Sequence, residues 1–121
     1  MTDCLVVDDE ADCRYVLLSF LRERGLSAEG VEDGKTALTL VPRLKPRVIF
    51  LDIEMPGMNG IETLKRLREA IPACRVIMIS GISDLQRAEE ALGLGAFDYL
   101  QKPIDFSYLK HLLETSWAIS P

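Results

Sequence analysis

The sequence predicts an α/β sandwich: a doubly wound, five-stranded parallel sheet with helices on both faces. Three observations predict it. Short apolar runs alternate along the chain with amphipathic stretches, the mark of a parallel sheet built from β/α units. The run Val48-Ile49-Phe50-Leu51 is apolar without a break, as a strand buried on both faces requires. The length, 121 residues, suits one domain with a single sizeable core.

Taken in order, the first strand candidate is Cys4 to Val7, and a helix follows over about Ala11 to Arg24. In that helix Val16, Leu17, Phe20 and Leu21 recur at i, i+1, i+4 and i+5, which places them on one core-facing stripe. Gly25 then supplies a left-handed stop. The second strand spans Ser27 to Val31, and the second helix spans Lys35 to Val41, capped by Asp33 or Gly34. The third strand, Val48 to Leu51, runs into Asp52, and Pro56-Gly57 and Asn59-Gly60 announce a loop. Asn59 caps the third helix, Ile61 to Ala70, which Pro72 closes. The fourth pair is Val76 to Ile79 and Leu85 to Leu92. The fifth is Asp98 to Leu100 and Phe106 to Trp117, capped by Asp105. Right-handed crossovers between five such units, with a short second helix, favour the flavodoxin-like strand order 2-1-3-4-5.

Composition excludes several functions. The net charge is −5 with no basic block, which argues against direct nucleic-acid binding and against an anionic membrane surface. No apolar run approaches the roughly 20 residues of a membrane span. Met1-Thr2-Asp3 lacks the basic flank of a signal peptide. Cys4, Cys13 and Cys74 are odd in number and lack metal-ligand spacing, so Cys4 and Cys13 read as buried thiols in a reducing cytoplasm. The lone histidine, His111, reads as a surface imidazole, and neither zinc nor Ser-His-Asp chemistry has its full set of parts. The chain reaches Ser120-Pro121 soon after the fifth helix, so residues 1–121 are expected to form one domain.

The informative residues stand at strand ends. The first strand ends on Asp8-Asp9-Glu10, the third on Asp52, the fourth on Ser80-Gly81 and the fifth on Lys102-Pro103. In a parallel sheet these ends share one edge, so the acids, a hydroxyl and a lysine converge there. Ligands bind at that edge in open α/β sheets. Clustered carboxylates raise one another's pKa unless a cation sits between them. Oxygen ligands suit Mg²⁺, which usually keeps waters and takes phosphate as a second anionic partner. Lys102 can grip a phosphoryl oxygen, Ser80 can donate a hydrogen bond to another, and an Asp carboxylate can form an aspartyl-phosphate.

In this order, Asp8-Asp9, "LDIEMPGMNG", "MISG" and "GAFDYLQKP" resemble the receiver domain of two-component response regulators over essentially the whole chain. The resemblance implies that Asp52 is the phospho-acceptor. Asp9 is implied as the preferred direct Mg²⁺ ligand, with Asp8 acting mainly through water and the backbone carbonyl of Glu54 as the third protein ligand. It implies Ser80 as the switch hydroxyl, Tyr99 as the switch aromatic, Lys102 as the phosphate-gripping lysine and a cis Lys102-Pro103 bond. The implied donor is a histidine kinase or phosphotransfer protein. The implied output is a partner or output domain reading the fourth helix, fifth strand and fifth helix, or a phosphorylation-dependent homodimer. Such a domain is a switch that catalyses its own phosphotransfer and dephosphorylation. "GAFDYLQKPID" resembles receivers attached to transcriptional activators or hybrid kinases.

Three positions depart from the family's commonest pattern. Ser80 stands where threonine is commoner and lacks the methyl that restricts the rotor. Glu54 puts a charge two residues after Asp52, which bears on phosphoryl lifetime. Gln101 stands where threonine is often found.

Rival readings fit less well. A haloacid-dehalogenase-type aspartyl-phosphate phosphatase wants Asp-x-Asp after its first strand, whereas Asp52-Ile53-Glu54 follows the third. A flavodoxin-like electron carrier wants a hydroxyl- and glycine-rich phosphate loop where Asp8-Asp9-Glu10 stands. Gly34-Lys35-Thr36 evokes a P-loop, but position 29 is Glu29 rather than glycine, and Asp33-Gly34 reads as a helix cap. Met55, Met58 and Met78 read as core or loop packing.

Overall fold

A computed structural model describes residues 2–81 and 84–118, with side chains described through Thr115. The elements alternate strictly along the chain. They are β1 (Cys4–Val7), α1 (Ala11–Glu23), β2 (Ala28–Val31), α2 (Gly34–Leu44), β3 (Val48–Asp52), α3 (Gly60–Ala70), β4 (Arg75–Ser80), α4 (Leu85–Gly93), β5 (Asp98–Gln101) and α5 (Phe106–Ala118). All strand pairs are parallel and the order is β2-β1-β3-β4-β5, as the sequence predicts.

The period-2 alternation of each strand divides the core in two. Leu5, Val7, Ile49, Leu51, Val76 and Met78 pack under α2, α3 and α4. Cys4, Val6, Val48, Phe50, Ile77 and Ile79 pack under α1 and α5. Register aligns the strand ends: Val7 pairs with Leu51, Asp52 with Ile79 and Ser80 with Gln101. The residues that leave these strands therefore meet at one edge.

The helix termini follow their local chemistry. Asp33 accepts from the Thr36 N–H, Asn59 from the Glu62 N–H and Asp105 from the Ser107 N–H, so all three expected acidic or amide caps form. Gly25 sits at φ +82, where its N–H reaches the Arg22 carbonyl and the Leu26 N–H reaches that of Leu21, closing a Schellman motif.

Two expectations need correction. The α1 stripe centres on Leu17 and Leu21, with Cys13, Leu18 and Phe20 partly buried, while Val16 is 44% exposed. Val16 lies about 100° around the helix from Leu17, just past the edge of the sheet contact. Helix α2 passes Pro42 and runs to Leu44. Val41 is fully buried and anchors this last turn, and Lys45 closes it in a left-handed conformation at φ 48. Burial outweighs the one backbone bond that proline removes.

Other expectations hold locally. Met55 and Met78 are core residues, His111 is exposed, and Gly34 opens α2 packed against Thr63 of α3 rather than cradling a phosphate. All three cysteines are free; Cys4 and Cys74 are buried, but Cys13 is only half-buried.

Candidate functional site

The acidic edge of the sheet is built from the ends of the adjacent strands β1 and β3, with those of β4 and β5 beside them. Asp52 closes β3 and is 3% exposed, while Asp8 leaves β1 fully buried. Carboxylate oxygens of Asp8, Glu10 and Asp52 all lie within 4.8 Å of one another. Lys102, leaving β5, holds its Nζ 3.2 Å from Asp52 Oδ2 and 3.4 Å from Asp8 Oδ2, and also pairs with Glu10. The Lys102-Pro103 peptide is cis, and the Lys102 N–H donates to the Ser80 carbonyl at 2.8 Å.

Local backbone contacts fix the acids. The Glu10 N–H donates to Asp8 Oδ1 at 2.9 Å, and the Glu54 N–H donates to Asp52 Oδ1 at 3.1 Å. Arg14 of α1 donates to the Asp8 carbonyl at 2.7 Å, tying the helix to the strand end. Behind Asp52, the Gly60 N–H reaches the Ile53 carbonyl, and a Cβ at Gly60 would stand 2.3 Å from the Asp52 carbonyl oxygen. The glycine after Asn59 thus permits close approach of α3 to β3, as well as ending the turn.

Electrostatics follow from burial. The Asp52 carboxyl is pushed up from 3.8 to about 7, first by desolvation and then by the neighbouring Asp8. Lys102 and the Glu54 N–H pull the other way. Burial works against the Lys102 ammonium, but Glu10, Asp52 and Asp8 outweigh it and hold the lysine protonated above its ordinary value. Burial, then the neighbouring Asp8 carboxylate, pushes the Cys13 thiol up to about 12, so it stays neutral beside the acids.

Two buried polar atoms lack partners here among the described residues: Asp8 Oδ2 has no hydrogen bond, although Lys102 lies near, and Ser80 Oγ has none. Such orphans are costly and suit a site that completes itself with a ligand. The oxygen donors and the orphaned Asp8 Oδ2 fit a hard divalent cation, and Ser80 Oγ fits an incoming acceptor oxygen.

The structure brings together Asp8, Asp52 and Lys102, with Ser80 one strand away. Asp9 is exposed and lies outside the three-carboxylate group; it lines an open groove with Glu32, Asp33, Lys35, Thr36, Pro56, Gly57 and Met58. Tyr99 is half-buried against the core on the α4 side, its N–H on Asp98 Oδ1. Glu10 is the residue that sequence reasoning passed over. It is the N-cap of α1 yet makes no side-chain cap bond, and its carboxylate turns instead to Lys102. The Glu54 carboxylate turns away from Asp52 to Arg87 of α4 at 2.5 Å, so Asp52-Ile53-Glu54 does not form a phosphatase's acid pair.

Known proteins match this arrangement. The response regulator receiver domain family matches residues 4–114. The DNA-binding transcriptional regulator NtrC of Salmonella typhimurium is 39% identical over 109 residues, covering 90% of this chain and 23% of that protein. The transcriptional regulatory protein ZraR of Escherichia coli is 37% identical over 116 residues, 96% of this chain and 26% of that protein. The chain thus spans about a quarter of the length of these relatives. Among solved structures, the receiver domain of NtrX from Brucella abortus superimposes with a TM-score of 0.92 at 32% identity, covering 98% of this chain and all of that one. With its sheet order, its acidic edge and these matches in agreement, the chain belongs to the receiver domains of two-component response regulators.

Proposed function

We propose that Asp52 accepts a phosphoryl group from a histidine kinase or phosphotransfer protein, and that the domain passes this event on by changing a partner-binding surface. The observation that carries the reading is Ser80 Oγ, buried without a hydrogen bond among the described residues, and Asp8 Oδ2, likewise without a hydrogen bond and met by the Lys102 ammonium, around a carboxylate contacted by the same lysine. One Asp52 oxygen attacks phosphorus, the P–N bond to the donor histidine breaks, and its electron pair returns to the imidazole. Lys102 leaves Asp52 Oδ2 for a phosphoryl oxygen, while Ser80 donates to another.

The residues assigned to Mg²⁺ are Asp52, Asp8, Asp9 and the backbone carbonyl of Glu54, with Glu10 in the same group. When bound, the cation offsets the charge gathered between these carboxylates and the incoming phosphoryl oxygens.

The domain, residues 1–121, acts as a switch that catalyses its own phosphorylation and dephosphorylation rather than turning over a substrate. Ser80 and the half-buried Tyr99 relay the change to α4, β5 and α5, where an output domain, a separate protein or a second copy docks. The likeness to NtrC, a DNA-binding transcriptional regulator, favours an output on transcription through other parts of a longer protein. No described helix is long and apolar enough to cross a membrane, and action in the reducing cytoplasm suits three free thiols.

Acetyl phosphate labelling with and without Mg²⁺, followed by mass spectrometry of the modified peptide, tests the reading. Labelling confined to Asp52 and dependent on Mg²⁺ is expected. A phosphoryl group on another residue would sink it.

A further inference from the structure

The contact between Glu54 and Arg87 joins the reactive loop to a helix 33 residues further along the chain. Arg87 Nη1 lies 2.5 Å from Glu54 Oε1, and the Glu54 N–H lies 3.1 Å from Asp52 Oδ1. Two bonds thus connect a carboxylate oxygen of Asp52 to α4.

Helix α4 is also the most lightly anchored of the helices around this edge. Its buried side chains are Ala88 and Ala91, whereas Leu85 and Leu92 are 41% and 39% exposed. Helix α3 buries Ile61, Leu64 and Leu67. Methyl groups remove little apolar area from water, so a polar tether is a large share of what holds α4 in place. Glu90, three residues on from Arg87 and lining the same shallow groove, offers the guanidinium another partner once Glu54 lets go.

We propose that the Glu54–Arg87 ion pair tethers α4 to the reactive loop in the unphosphorylated protein, with Arg87 the positioning residue that passes a change at Asp52 to that helix. The proposal rests on the reading of Asp52 as phospho-acceptor. Joining a phosphoryl group to an Asp52 oxygen redistributes the charge that the Glu54 N–H contacts; the loop readjusts, the pair opens and α4 is released. By reciprocity, opening the pair favours the phosphorylated state by the same factor.

A charge-swap cycle tests this: Glu54→Arg, Arg87→Glu and the two together, read by NMR hydrogen exchange of α4 amides against those of α3. In the absence of phosphate, each single variant is expected to exchange about three- to fivefold faster in α4 alone, the range of an exposed pair. The double swap should return to the wild-type rate. High salt should loosen α4 in wild type and in the double swap, since the pair is exposed and screened, but should not loosen either single variant further. Each single variant should also bind beryllofluoride with Mg²⁺ more tightly than wild type. Unchanged α4 exchange in both single variants, or a double swap as fast as the singles, overturns the tether. If wild type still binds beryllofluoride in that case, the phospho-acceptor reading survives alone. If wild type ignores beryllofluoride, the phospho-acceptor reading falls and the relay from Asp52 falls with it.

Discussion

Lys102 Nζ lies 3.2 Å from Asp52 Oδ2, a contact between residues 50 apart in sequence that brings the ends of β3 and β5 together across β4. The lysine partly neutralises a carboxylate that burial makes expensive to ionise.

Lys102→Ala should therefore lower acetyl-phosphate labelling by at least tenfold while leaving Mg²⁺ affinity equal or higher, because the ammonium repels the cation and attracts the phosphoryl group. Isothermal titration with Mg²⁺, alongside labelling rates, separates the two effects. Labelling and Mg²⁺ binding both at wild-type levels would remove Lys102 from the mechanism.

Asp52→Asn should abolish labelling and stabilise the fold at alkaline pH. The folded protein holds the Asp52 proton up to about pH 7, whereas the ordinary carboxyl value is 3.8. The folded state therefore binds this proton more tightly, and stability from this group falls as pH rises from about 4 to about 7. Removing the charge should raise stability by about 1–4 kcal/mol at pH 8 and by little at pH 4. Urea denaturation of both proteins at the two pH values checks the sign.

The same elevated value makes the nucleophile pH-sensitive. At low Mg²⁺, labelling should fall as pH drops through about 7, because the protonated carboxyl cannot attack. Saturating Mg²⁺ favours the ionised form and should move the midpoint to lower pH. A pH–rate profile with the same midpoint at both Mg²⁺ levels would contradict this.

Ser80→Ala should still accept phosphate yet couple it poorly to α4, β5 and α5. Ser80 Oγ is buried with no hydrogen-bond partner among the described residues, so its loss should cost the unphosphorylated fold little. Comparing NMR shifts of beryllofluoride-bound wild type and variant tests the role. Equal shifts around Tyr99 and along α5 would rule the hydroxyl out as the link.

Gly60→Ala should destabilise the protein by about 2–4 kcal/mol, since its methyl would meet the Asp52 carbonyl oxygen and the Ile53 Cα, both backbone atoms. Thermal unfolding measures the loss. Labelling of the fraction still folded should also fall, because the obstructed backbone is that of Asp52 itself.

Much of the site was legible in one dimension. Asp8, Asp52, Ser80 and Lys102 each follow an apolar run, and parallel strands place such ends on one edge whichever strand neighbours which. Helix caps at Asp33, Asn59 and Asp105 and the stop at Gly25 were equally local, because turn and cap chemistry is written within a few residues, while the strand order followed from the handedness of the crossovers. What the sequence could not determine is where side chains turn once the backbone has left its strand or helix. Asp9 and Glu10 are adjacent acids, yet the carboxylate of Glu10 turns toward the basic group of Lys102, while Asp9 faces an open groove. Glu54 read as a lone charge until α4 brought Arg87 to it. Val16 fitted the helical stripe and the second helix was expected to stop at Val41, and both gave way to the position of the sheet beneath. Periodicity specifies which face a regular element buries; the partner that a loop carboxylate finds depends on residues tens of positions away, and only packing brings those within a few ångströms.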